Sequence, residues 1–206
     1  RTDLGKEVRQ AFIVPPGWKL IAADYSQVEL RITAHITKDA GLVAAFKGGE
    51  DIHRATAATV LGIAPEAVTS DQRSFAKRVN FGLLYGMGAR SLAEQAGIPL
   101  AEAKLFVDAY FTRFPGIANY IATTKQLAKD QGYVTTLLGR RRAFPILRST
   151  TADGRTRMLQ AAAEREAINH PIQGTAADII KIAMIHIHDK LKAEGLQSRL
   201  LLQVHD

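Results

Sequence analysis

Between Arg73 and Gly86 the chain reads Arg-Ser-Phe-Ala-Lys-Arg-Val-Asn-Phe-Gly-Leu-Leu-Tyr-Gly, and Arg73, Lys77, Phe81 and Tyr85 recur at a spacing of four. On a helix they form one slowly drifting stripe, roughly 18 Å long at about 1.5 Å rise per residue. The first half of the stripe is cationic and the second half aromatic. A core-facing stripe has no use for an arginine and a lysine at its start, and a solvated one has no use for two aromatics at its end. A ligand with a polyanionic tail and a flat head suits both halves. A nucleoside triphosphate has that shape, with phosphates at Arg73 and Lys77 and base and sugar at Phe81 and Tyr85. The helix N-terminus lies at the phosphate end and adds its partial positive charge. The competing reading is an amphipathic helix with snorkelling cations and two core aromatics.

The 206 residues, 47% hydrophobic and 23% charged, suffice for one sizeable core or two small lobes sharing one. Cysteine is absent, which removes disulfides and thiolate metal sites and fits a reducing cytoplasm. No apolar run is long enough to span a bilayer, so no membrane role is expected. Arg1 is not an initiator methionine, and the chain reads as a piece of something longer or a processed product. The net charge of +7 calls for an anionic partner. It concentrates between Gly139 and Arg157, where Arg140, Arg141, Arg142, Arg148, Arg155 and Arg157 stand against Asp153, a local surplus of five. A solvated loop can carry that charge, and a nucleic-acid backbone would use it better.

Along the chain, Pro15-Pro16-Gly17 makes a turn, and Trp18–Ala23 predicts a buried strand ending at Asp24. Ser26 and Glu29 match a capping box and predict a helix from about Gln27. Gly48-Gly49 closes a short helix, Asp51 caps the next, and Thr69 or Ser70 caps the helix of the stripe. Ser91–Glu94 forms another capping box, and Pro99 and Pro115 punctuate later helices. Tyr133–Leu137 and Arg142–Phe144 flank Leu138-Gly139 as a hairpin. A helix through Glu164 and Arg165 is expected to break near Pro171. A second follows from about Thr175 to Lys192, burying Ile179, Ala183 and Ile187, and Gly195 stops it. Arg199–Val204 reads as a last strand before His205 and Asp206. The fold class is a helix-rich α+β arrangement, whose two strand-bearing ends meet in one sheet around a helical middle.

Asp24 and Asp206 each follow an apolar strand, which sets both carboxylates at one edge if the strands are neighbours. Paired carboxylates without histidine or cysteine companions favour Mg²⁺. A turn or cap role for Asp24 and a solvated terminus for Asp206 compete with this reading.

Three motifs occur in the order of a known family. Asp24-Tyr25-Ser26-Gln27-Val28-Glu29-Leu30-Arg31 resembles the first catalytic motif of family A DNA polymerases, the DNA polymerase I type. The Arg73–Gly86 stripe resembles their nucleotide-binding fingers helix, and Gln203-Val204-His205-Asp206 the start of their last motif. Asp51–Thr56 and Asn169–Asp178 also look like family segments. The resemblance implies a palm part over 1–38, a helical fingers subdomain over 39–131 and a second palm part over 132–206. It implies that Asp24 and Asp206, with the Tyr25 carbonyl, hold two Mg²⁺ ions. Arg73, Lys77 and His53 would contact the triphosphate, Lys77 also assisting the leaving pyrophosphate, and Gln27 belongs to the same nucleotide-binding set. Phe81 would pack on sugar and base, while Tyr85 and Gly86 border the templating position. Glu29 would exclude a 2′-hydroxyl and pair with Tyr85. Arg165, Asn169, Gln173 and His205 would meet primer-template DNA. The implied activity is transfer from deoxynucleoside triphosphates to a primer 3′-hydroxyl, by a cytoplasmic enzyme that is monomeric when complete. A single-subunit RNA polymerase and a non-catalytic nucleic-acid-binding fragment are the alternatives. The acidic residue expected after Asp206, the strand that would follow and the thumb are all missing from the sequence. The 206 residues alone are therefore expected to bind DNA at low salt and to extend primers poorly.

Overall fold

The computed structural model describes residues 3–151 and 153–204. His205 and Asp206, expected at the DNA and metal site, lie outside the described residues. Helix α1 (Asp3–Gln10) buries no residue and leads into the Pro15–Trp18 turn, where the Trp18 N–H donates to the Pro15 carbonyl at 3.1 Å. Helices α2 (Val28–Thr37), α3 (Ala40–Lys47), α4 (Ile52–Leu61), α5 (Ser70–Leu84), α6 (Ala89–Ala96), α7 (Leu100–Arg113) and α8 (Pro115–Gln131) follow. A hairpin of β1 (Tyr133–Thr135) and β2 (Arg141–Ala143) then precedes the 40-residue helix α9 (Gly154–Ala193). The class is α+β and strongly helical.

One core holds most of this together. Leu30 and Ile32 of α2, Leu42 of α3, Ile52 of α4, Leu83 and Leu84 of α5, Ile117 of α8 and Ile168 and Ile172 of α9 are buried in a single cluster. Each of these side chains removes enough apolar surface to be worth about 1.5–3 kcal/mol. A smaller cluster of Val134, Phe144, Leu147, Ala163 and Ala167 seats the hairpin on α9. The pairing is antiparallel, Tyr133 opposite Ala143 and Thr135 opposite Arg141, and Gly139 turns the chain at φ +85°.

The expected end strands do not form. Trp18–Ala23 and Arg199–Val204 are irregular, with Ile21 83% and Leu202 72% exposed, and neither enters a ladder among the described residues. Strand propensity carries no stability without a neighbouring strand, and neither segment lies beside one among the described residues. Among the described residues the sheet is the β1–β2 hairpin, and the one expected between the two ends is not formed.

Pro171 does not break α9. Its missing N–H and ring cost the bond to the Ala167 carbonyl, but Ile168 and Ile172 on either side are buried in the main core, and the Tyr120 hydroxyl of α8 donates to the neighbouring Ile168 carbonyl at 2.6 Å. Thr175 Oγ1 returns to the Pro171 carbonyl. The burial of α9 also ends earlier than its pattern suggests. Ile180 is the last buried residue, Ala183 is half-buried, and Ile182, Ile185 and Ile187 are exposed because nothing described packs against those turns.

Two capping boxes are absent. Helix α2 starts after Gln27, which sits in the left-handed region at φ 55° without a side-chain cap, and Glu29 is drawn elsewhere. Helix α6 starts from Gly88 rather than Ser91. The expected caps at Asp51 and Thr69 do form, the latter as a full capping box with Gln72.

Candidate functional site

Helix α5 forms because Thr69 and Gln72 satisfy its first backbone donors, and it lies on α4 through Ala76, Val79, Leu83 and Leu84. This inward face leaves the stripe at the surface: Lys77 is exposed, and Arg73, Phe81 and Tyr85 are half-buried. Phe81 and Tyr85 pack against the main core on one side while remaining half-buried. The Phe81 ring lies 6.2 Å from Tyr85 and 5.9 Å from His53, centroid to centroid.

Each end of the stripe is pinned by an acid. Asp51 caps α4 by accepting from the His53 and Arg54 N–H groups at 3.1 and 3.2 Å, and its other oxygen accepts from Arg73 Nε. Burial alone would raise the Asp51 carboxyl, but the Arg73 hydrogen bond and charge and the two backbone donors outweigh it and hold it below the usual range. At the other end the Tyr85 hydroxyl donates to Glu29. Burial, reinforced by Glu29, pushes the Tyr85 phenol far above its ordinary value, while the Gln173 side chain opposes this by hydrogen-bonding to it. Tyr85 therefore stays a proton donor, and Glu29 is committed to it rather than to the start of α2.

His53 is 2% exposed beneath the cationic half of the stripe. Burial lowers its pKa to about 4; Asp51 opposes this, and Arg73 and Lys77 add to it. It is neutral at pH 7.

Continuity through Pro171 changes the nucleic-acid side. Arg165, Asn169 and Gln173 are spaced by four on one unbroken helix and so lie along a single line, where a break would have separated Gln173. That line reaches the stripe at two points. Gln173 touches the Tyr85 hydroxyl, and a Cβ on Gly86 would stand 3.3 Å from Arg165 Cγ. Gly86 has φ +82°, so both its conformation and this close approach favour glycine. The basic segment is less free than its letters suggest. Arg140 is spent on Asp178 and the Gly174 carbonyl, both at 2.8 Å, and Arg142 on Glu166.

Asp24 and Tyr25 occupy an exposed loop ahead of α2, and Asp24 has no hydrogen-bond or ion-pair partner among the described residues. No three His, Cys, Asp or Glu side chains among those residues cluster to hold a metal ion. The Gln27 amide oxygen is buried without a partner. The capping pattern at Asp51 gives no sign of its bond to Arg73, and Asn80 shows in the sequence only as a polar residue on the otherwise apolar inner face of α5.

The fold and site define a helix-rich α+β domain with a cationic–aromatic face set against a polar helix line. Matching the DNA polymerase family A model over residues 1–206, the chain belongs to that family. It is 51% identical over all 206 residues to DNA polymerase I of Chloroflexus aurantiacus and of Pseudomonas aeruginosa, covering 21% and 22% of those proteins. It is 46% identical to the thermostable DNA polymerase I of Thermus thermophilus, covering 24% of it. The chain thus spans between a fifth and a quarter of these relatives. Among solved structures, the POL domain of Pol1 from M. smegmatis in complex with DNA primer-template and dNTP superposes with a TM-score of 0.91 at 45% identity. That likeness covers the whole chain and 36% of the other. No described helix is long and apolar enough to cross a membrane.

Proposed function

We propose that this chain carries the nucleotide-selecting face of a template-directed DNA polymerase, which transfers a deoxynucleotide to a primer 3′-hydroxyl. The observation that supports it is the junction of two lines: the Arg73–Lys77–Phe81–Tyr85 stripe, closed onto Glu29, meets the Arg165–Asn169–Gln173 line at Gly86. In this reading 39–131 is the fingers subdomain, and 1–38 and 132–206 belong to the palm. The enzyme works as a cytoplasmic monomer.

Arg73 is aimed by Asp51 through Nε, leaving the rest of its fork for phosphate oxygens, and Lys77 one turn on covers the leaving pyrophosphate. Phe81 stacks on sugar and base. Glu29, fixed by Tyr85, fills the space a 2′-hydroxyl would need, and Gln27 lines the same nucleotide pocket. Arg165, Asn169 and Gln173 address minor-groove acceptors whose positions are nearly independent of sequence, as copying demands, and His205 also contributes to DNA binding. The unpartnered Asp24 carboxylate offers oxygen ligands suited to Mg²⁺, and Asp24, Asp206 and the Tyr25 carbonyl would hold two such ions. When bound, they would lower the barrier to 3′-hydroxyl attack by stabilising charge on the attacking and leaving oxygens.

A primer-extension assay with Mg²⁺ tests the reading, using a longer polymerase of this family that carries this segment. Extension should be abolished by Asp24→Ala and crippled by Arg73→Ala with binary DNA affinity intact. Normal extension by both variants would leave a nucleic-acid-binding module.

A further inference from the structure

Beneath the stripe lies a closed polar trio whose donors can be counted. Thr56 has one hydroxyl proton, and Thr56 Oγ1 gives it to the Ile52 carbonyl at 2.8 Å. The 3.1 Å contact between Thr56 Oγ1 and the Asn80 amide must therefore be donated by Asn80, which sets Nδ2 on that side. The same Nδ2 lies 3.1 Å from His53 Nδ1 and points its second proton there. His53 Nδ1 is consequently an acceptor and carries no hydrogen. Reversing the Asn80 amide would set its oxygen against the Thr56 lone pairs and orphan both amide protons. The present orientation orphans only Oδ1, which is buried without a partner.

We propose that Asn80 is a positioning residue that holds His53 as the neutral Nε2–H tautomer, so that the imidazole meets the phosphate end of the stripe as an N–H donor and not as an acceptor. The role of the trio rests on the nucleotide reading above; the tautomer does not. A second proton on the ring would have to enter at Nδ1, against the amide protons of Asn80. The charged groups around the ring are Asp51, Arg73 and Lys77, and the two cations also disfavour imidazolium. A donor fixed in advance next to two cations serves phosphate without adding a third charge to a buried position. Asn80 itself is 2% exposed and touches no ligand in this arrangement.

Long-range ¹H–¹⁵N correlation spectra of the imidazoles in the ¹⁵N-labelled chain read this directly, with His53→Gln assigning the signals. The expected pattern is an unprotonated Nδ1 and a protonated Nε2 that do not titrate between pH 5.5 and 8. A protonated Nδ1, or a midpoint inside that range, overturns the proposal. Asn80→Asp replaces the donor with an acceptor, so His53 should gain a proton at Nδ1 and begin to titrate in the range. An unchanged His53 pattern in that variant also overturns it, since a merely structural asparagine would leave the tautomer alone. Adding dATP with Mg²⁺ to the unsubstituted chain should move His53 Nε2 together with the backbone amides of α5. Movement of the amides without His53 refutes the donor role. No movement anywhere refutes nucleotide binding by this chain and leaves the tautomer assignment to stand on the first two measurements.

Discussion

Replacing Asp39 by asparagine should cost at least about half of the stability lost on removing its side chain, although only one atom changes. The residue is 3% exposed and serves two helices with two oxygens. Oδ1 caps α3 by accepting from the Leu42 N–H at 3.0 Å, and Oδ2 accepts from the Gly116 N–H at the start of α8 at 2.8 Å. Asp39 thus ties the point where the chain enters α3–α7 to the point where it leaves. Losing an N-cap costs about 0.5–2 kcal/mol, and a buried N–H left without its acceptor about 1–3 kcal/mol. Asp39→Ala should therefore cost about 2–4 kcal/mol, which at roughly 2–4 °C per kcal/mol for a chain of this size lowers Tm by about 5–15 °C. Asparagine keeps one acceptor oxygen and turns an NH₂ toward the other backbone N–H, so it should lose at least about half as much. Gly116→Ala should mimic the damage, because its Cβ would fall 2.9 Å from Asp39 Cβ, and the two changes should not add. Urea unfolding followed by helical circular dichroism measures all of these. An Asp39→Asn midpoint equal to wild type would show that one of the two bonds carries no energy, and the double-clasp argument would fail.

The buried histidine gives stability a pH dependence. Unfolded, His53 takes its proton near 6.5, and folded only near 4, so between those values the unfolded chain binds more protons. Its contribution is complete above about pH 6.5 and declines as pH falls toward 4; burial shifts His170 in the same direction. His53→Gln should flatten the unfolding free energy between pH 6.5 and 5, and an unaltered slope would show that His53 titrates normally. In a longer polymerase of this family carrying the segment, Glu29→Ala should raise ribonucleotide incorporation well beyond any loss of stability; unchanged discrimination in steady-state incorporation would reduce the Glu29–Tyr85 bond to a structural tie. Phe81→Tyr in the same enzyme should relax discrimination against dideoxynucleotides, since phenylalanine has no hydroxyl to stand in for a missing 3′-hydroxyl. Equal termination by both at matched nucleotide ratios would place Phe81 away from the sugar.

What was legible in the letters was local. The stripe follows from helical spacing, the caps at Asp51 and Thr69 from side chains two or three residues from the N–H groups they serve, and the hairpin from the Leu138-Gly139 turn between two short extended runs. These interactions close over one turn, so the residues that make them are neighbours in sequence as well as in space. The strands expected at Trp18–Ala23 and Arg199–Val204 do not form for the opposite reason: a strand is stabilised by a partner that its own letters do not contain. A break at Pro171 follows from a local cost, the lost bond to the Ala167 carbonyl, while what holds α9 together is tertiary: the burial of Ile168 and Ile172 and a hydroxyl from Tyr120, 48 residues from the carbonyl it reaches. Ser26 and Glu29 made a sound capping box on paper, and tertiary structure gave Glu29 to Tyr85, 56 residues away; only the family resemblance had paired them beforehand. Asn80 shows the same division most sharply. Its place on the inner face of α5 is periodicity, whereas its power to decide which nitrogen of His53 holds the proton exists only because α4 lies against α5 and Thr56 has already spent its single hydrogen.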